Sequence, residues 1–68
     1  ERQIVKLLEA GEGHVPNMVA AMYKGLDPRL IGAAGRSVLA HLIDLQNQGR
    51  VAAQGDGWHM VKESLKPV

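Results

Sequence analysis

The stretch from Met22 to Val51, MYKGLDPRLIGAAGRSVLAHLIDLQNQGRV, constrains the fold more than any other part of the chain. Lys24-Gly25-Leu26-Asp27-Pro28 breaks whatever precedes it, because Pro28 restricts Asp27 to extended geometry. Asp27 is then placed to cap the next turn. From about Leu30 to Gln48 the pattern predicts one long amphipathic helix. Ile31, Val38, Leu42 and Leu45 fall within roughly 60° of one another on a helical wheel, with Leu39 flanking them. Gly35 lies on the same side and costs about 1 kcal/mol in a helix, so it implies a close helix–helix approach or a break. Gly49 reads as the C-terminal stop, with Arg50 just beyond.

The long helix needs partners on both sides. Upstream, Ile4, Leu7 and Leu8 repeat at i, i+3, i+4 beside Val5, one apolar stripe of a short helix ended by Gly11-Glu12-Gly13. His14-Val15 reads as an extended link. Pro16 suits the first turn of a second helix, whose core face is Met18, Val19 and Met22. Downstream, two extended segments, Val51-Ala52-Ala53 and Trp58-His59-Met60-Val61, flank Gln54-Gly55-Asp56-Gly57, and the Asp-Gly pair predicts a hairpin. A lone hairpin is marginal in water, so it must lie against the helices, with Trp58 as its anchor. Residues 62–68 lack periodicity and contain Pro67, which predicts a frayed tail. The expected architecture is one domain over residues 1–61, mainly α with a small β-hairpin: three helices and a two-stranded wing, a winged helix-turn-helix.

Length and composition fit this reading. The chain has 68 residues, enough for a single domain with a thin stability margin. It has no cysteine and no Phe, so the core must be aliphatic and neither disulfides nor thiolate metal sites are available. No apolar run approaches the ~20 residues of a membrane span. No signal or transit pattern appears, and a cytoplasmic location is expected. The chain opens on Glu1 without a Met, which suggests a piece of something longer.

The residues offer little chemistry. His14, His41 and His59 fall in three different elements, and no pair has the i, i+4 spacing of a zinc helix. His41 is expected at the edge of the third helix's apolar face, packed against a neighbour. Ser37 and Ser64 lack the glycine-elbow context of a nucleophile. Asp44 and Asp56 have nothing around them that would raise a carboxyl pKa. The Gly-Glu-Gly and Gly-Asp-Gly pieces read as turns, because neither leads from a strand into a helix as a phosphate loop must. No catalytic, cofactor or metal residue is expected in this chain.

Nucleic-acid binding is judged by charge. Eight Lys/Arg oppose seven Asp/Glu, a net charge of +1, where a phosphate binder would carry a clear basic excess. The outward face of the third helix should hold Arg36, Ser37, Ala40, Asp44, Asn47 and Gln48, one cation against one anion. The hairpin tip carries an acid where a minor-groove wing would carry a base. Specific duplex-DNA binding is disfavoured on this census. Lys24, Arg29, Arg36 and Arg50 are the candidates for substrate- or phosphate-facing contacts. Their bland reading is a solvated rim, and the sharper one is a modest electropositive lip guiding an acidic partner.

Several of these positions together resemble the C-terminal winged-helix domain carried by a branch of metallo-β-lactamase-fold hydrolases. They are Leu7-Leu8 with Gly11, the helix end from Val19 to Tyr23, Leu30, Ala34, Arg36-Ser37-Val38-Leu39-Ala40-His41-Leu42, Leu45, Gly49-Arg50-Val51 and Gly57-Trp58. One departure concerns His14 and Asn17, where that family often carries a Thr and Glu capping pair, so the second helix is expected to start differently. The resemblance implies a non-catalytic accessory domain that docks on its own N-terminal hydrolase domain and shapes the substrate cleft. It implies zinc in that hydrolase domain and none here. Some such proteins are similar to endoribonucleases, so it also implies single-stranded RNA as a partner through the parent. Only packing roles transfer: Tyr23, Val38, Leu42 and Leu45 as core, and Gly49 as helix stop. Arg36 and Lys24 are the substrate-facing candidates. The alternatives are an autonomous DNA-binding module of a transcription regulator and a protein-interaction or dimerisation module using the apolar edge around Tyr23 and Trp58.

Overall fold

A computed structural model describes residues 2–61; the tail expected at 62–68 lies outside the described residues. Helices α1 (Arg2–Glu9) and α2 (Val15–Met22) are followed by a 3₁₀ turn (Pro28–Leu30), helix α3 (Ile31–Asn47), and strands β1 (Val51–Gln54) and β2 (Gly57–Met60). The two strands pair antiparallel, with Val51 opposite Met60, Ala52 opposite His59, Ala53 opposite Trp58 and Gln54 opposite Gly57. This is the winged-helix arrangement that the sequence predicts.

The core forms where the elements overlap. Ile4 and Leu8 from α1, Met18 and Val19 from α2, Val38, Leu42 and Leu45 from α3, and Val51 from β1 are all buried. Trp58 and Met60 of β2 pack against this cluster, together with Val5, Leu7, Val15, Met22 and Ala34. No aromatic side chain reaches the centre, and aliphatic burial supplies the main driving force. Trp58 is half-buried and anchors the hairpin, as its position suggests.

Helix ends are set by backbone hydrogen bonding. At the end of α3 the N–H of Gly49 donates to the Gln46 carbonyl (2.9 Å) and that of Arg50 to the Leu45 carbonyl (3.0 Å). This double closure, a Schellman motif, needs a left-handed residue at Gly49, whose φ is 78°. α1 closes with the equivalent pair, Gly11 to Leu8 (3.0 Å) and Glu12 to Leu7 (2.9 Å). The start of α2 has no side-chain cap from its N-cap residue, His14. The Glu12 carboxylate instead accepts from the His14 N–H (3.2 Å) and from Asn17 Nδ2 (3.3 Å).

Five details differ from the expectations. First, α3 begins at Ile31, and Leu30 belongs to the 3₁₀ turn, because Asp27 caps that tighter turn through the Arg29 N–H at 2.9 Å. Second, Ile31 is 48% exposed and Tyr23 37% exposed, so neither is core. α2 ends at Tyr23, which stands at its C-cap with φ −124° and ψ 59°, so the helical period stops there. Ile31 and Tyr23 line an open groove between α2 and the start of α3. Third, His41 is exposed rather than packed. Fourth, the hairpin turn is Gly55-Asp56, one residue earlier than the Asp-Gly reading, with Gly55 at φ 62° and Gly57 already in β2. Fifth, Gly13 does not serve as a turn residue with positive φ. Its carbonyl accepts from the Trp58 N–H at 2.9 Å, so the α1–α2 loop lies along the free edge of β2 and covers part of it.

Candidate functional site

The four basic candidates lie at different points of the fold: Lys24 after α2, Arg29 in the 3₁₀ turn, Arg36 on α3 and Arg50 beyond its end. Arg29 is engaged by its neighbour: its backbone N–H, Nε and Nη2 all donate to the Asp27 carboxylate, at 2.9, 3.3 and 2.9 Å. The guanidinium and then the backbone N–H hold the Asp27 carboxyl below its usual range, and the same carboxylate raises Arg29. Such an exposed pair is worth little to stability, but it leaves Arg29 less available to an outside anion. Arg50 follows the Schellman closure at the far end of α3. About 16 Å of helix axis separates Arg36 from that end.

Lys24 and Arg36 remain as exposed cations. Among the described residues neither lies within ion-pair distance of a carboxylate. Lys24 borders the groove of about 260 Å³ lined by Val19, Tyr23, Leu26 and Ile31. Arg36 lies on α3 with its Nη1 over Gly32, 3.7 Å from where a Cβ there would stand. The outward residues Arg36, Ser37, Ala40, Asp44, Asn47 and Gln48 are all exposed, as the helical period predicts, and Asp44 accepts from Gln48 Nε2 at 3.1 Å.

The three histidines sit apart. His14 Nε2 lies 3.3 Å from Asp56 Oδ1 at the hairpin tip, and its Nδ1 lies 3.9 Å from Glu12. His41 is on α3 and His59 on β2. Among the described residues no three His, Asp or Glu side chains group as a metal ion would require, so the residues present do not fit the zinc that the resemblance places in the parent protein. No helix among them is long and apolar enough to cross a membrane.

The remaining surface feature is apolar. Tyr23, Leu30, Ile31, Leu39 and Ile43, from the end of α2 through α3, are exposed, as is Val61 after β2. Sequence periodicity registers Leu39 only as a flank of the core stripe and does not single out Ile43. A hydrophobic residue outside the core stripe carries no sign of what covers it.

The arrangement of α2, α3 and the wing is matched by a family model for the β-lactamase associated winged helix domain, over residues 15–58. The chain belongs to that family. The match begins at the first residue of α2 and ends at Trp58 on β2, so it takes in the helix pair and most of the wing. No curated protein and no solved structure matches the chain. Within this winged helix, sequence reasoning missed the Glu12 cap and the seat of Gly13 against Trp58. The Gly-Glu-Gly run was their only trace, and it reads equally well as an ordinary turn.

Proposed function

We propose that this winged helix is a non-catalytic accessory domain of a zinc-dependent, metallo-β-lactamase-fold hydrolase. It docks on the hydrolase domain of the same polypeptide and shapes the border of the substrate cleft. The family match over residues 15–58 carries this reading, since the family takes its name from association with β-lactamase proteins. In this proposal the zinc ligands belong to the hydrolase domain. The winged helix contributes packing and, through exposed Lys24 and Arg36, positive charge near the path of an acidic substrate such as single-stranded RNA.

The test compares the full polypeptide with a form lacking this domain. The truncated form is expected to keep its zinc while its kcat/KM falls at least about tenfold, the scale expected when groups that position a substrate are lost. Retained zinc shows that the hydrolase domain still folds. Loss of zinc without loss of folding would assign ligands to this domain and overturn the proposal. Unchanged kcat/KM would remove the cleft-shaping role.

A further inference from the structure

The loop between α1 and α2 is fastened to the hairpin at Gly13 and His14. The Gly13 carbonyl accepts from the Trp58 N–H at 2.9 Å. The His14 ring lies over Gly57, with Nε2 3.4 Å and Cε1 3.6 Å from where a Cβ there would stand. His14 Nε2 also lies 3.3 Å from Asp56 Oδ1 at the hairpin turn. On the other side of the ring, His14 Nδ1 lies 3.9 Å from Glu12 Oε2. That oxygen is held by the His14 N–H at 3.2 Å and by Asn17 Nδ2 at 3.3 Å. One imidazole therefore stands between two carboxylates from different segments, the α1–α2 loop and the hairpin turn.

A neutral imidazole has one N–H and one lone pair. With a carboxylate at each nitrogen, the neutral ring donates to one and turns its lone pair toward the other. Only the protonated ring donates on both sides. Among the described residues neither Glu12 nor Asp56 has a Lys or Arg within ion-pair distance. Helix α2 and the two strands carry no Lys, Arg, Asp or Glu. Their one titratable side chain is His59, two residues along β2 from Gly57 and on the same face of the strand. A proton on His59 opposes the one on His14 at a distance of about 7 Å.

We propose that His14 is a pH-sensitive latch: with its proton it ties the hairpin turn to the α1–α2 loop through Asp56 and Glu12, and without it the loop leaves the edge of β2 more readily. Histidine changes charge between about pH 5 and 8. The closed loop gains its second ion pair only with the proton on, so the seat tightens as pH falls through that range and loosens as pH rises. The Asp56 side chain is 94% exposed and that of His14 53%, so each pair is screened and adds little to global stability. The effect falls on the local opening of loop from strand, which takes less free energy than unfolding. Opening uncovers the Trp58 N–H on the edge of β2. The latch lies within the winged helix and holds whatever the domain docks on.

The Trp58 amide reports the opening directly, because its N–H leaves the Gly13 carbonyl when the loop lifts. Its hydrogen-exchange rate is measured by NMR in the full polypeptide with tryptophan-selective isotope labelling, at about pH 5.5 and about pH 8, near the two ends of the histidine range. His14→Gln and Asp56→Asn leave Gly57 and Trp58 unchanged, so the intrinsic rate of that amide cancels in comparisons at one pH. The rate ratio of His14→Gln to the unsubstituted chain is expected to be about two- to fivefold larger at the lower pH than at the higher, the scale of an exposed ion pair. Asp56→Asn is expected to remove most of that difference, and His59→Gln to preserve or enlarge it. The same ratio at both pH values would reduce His14 to a packing contact and overturn the latch. A pH dependence that survives Asp56→Asn but not His59→Gln would assign the titration to His59 and overturn it as well. His14 and Asp56 are both exposed, so these substitutions leave the core intact.

Discussion

Gly13 and Trp58 touch through their backbones: the Trp58 N–H donates to the Gly13 carbonyl at 2.9 Å, and a Cβ on Gly13 would stand 2.0 Å from the Trp58 carbonyl oxygen. The atom in the way is backbone on a paired strand and cannot swing aside. Gly13→Ala must therefore separate the α1–α2 loop from β2 or distort both. The expected cost is about 2–4 kcal/mol, in the range of overpacked and strained sites. Urea unfolding measures it, and a variant within 0.5 kcal/mol of the parent, the scale of ordinary surface changes, would refute the close approach.

Gly35→Ala is the converse case. A Cβ there would meet only Val15 Cγ1 at 3.8 Å, an ordinary contact, and the helix runs unbroken through the position. Ala is preferred over Gly in a helix interior by about 1 kcal/mol. The variant is expected to be more stable by up to that amount, seen as a higher Tm. A lower Tm would mean that α2 and α3 approach more closely here than the structure shows.

Glu12→Ala removes the acceptor for the His14 N–H and the Asn17 amide. The expected loss is about 0.5–2 kcal/mol, as for other N-terminal caps. Glu12→Gln keeps an acceptor oxygen and should recover much of it. Equal stability of the Ala and Gln variants would show that the cap does not matter.

Asp27 has a folded pKa below its ordinary 3.8, because Arg29 donates to it from side chain and backbone. A depressed carboxyl pKa contributes stability above the unfolded value, and that contribution is lost as pH falls through the folded value. The Asp27–Arg29 contribution should therefore be complete above pH 3.8 and fade below it. Asp27→Asn is expected to flatten the acid side of the stability profile. Carboxyl NMR titration checks the sign directly: a midpoint at or above 3.8 would refute it.

Leu42→Ala and Tyr23→Ala separate the real core from the expected one. Leu42 is fully buried on α3, and its truncation should cost about 2–5 kcal/mol. Tyr23 lines an open groove at 37% exposure, so Tyr23→Ala should cost about 1 kcal/mol or less, near the scale of surface changes. Similar losses in denaturant melts would restore Tyr23 to the core.

The element order was legible because each signal is local. Pro16, the Asp27-Pro28 pair, Gly49 and the Asp56-Gly57 pair act through their own backbone dihedrals or those of an adjacent residue, although the hairpin turns one residue before that last pair, and Val38, Leu42 and Leu45 repeat with the helix period itself. The candidate cations were legible as residue types and not as a site. Arg29 pairs with Asp27, and Arg50 lies beyond the end of α3, about 16 Å of helix axis from Arg36. Neither fact follows from composition or spacing.

The sequence by itself therefore determined three helices and a wing, an aliphatic core, and a charge balance with no basic excess, since all of these depend on residues close along the chain. Only the tertiary structure decided that Gly13 must seat against Trp58, that Tyr23 and Ile31 stay outside the core, and that Leu39 and Ile43 of α3 are exposed. Each of those outcomes depends on which segment lies beside which. Periodicity along one helix can say which side chains share a face, but not whether another element arrives to bury that face.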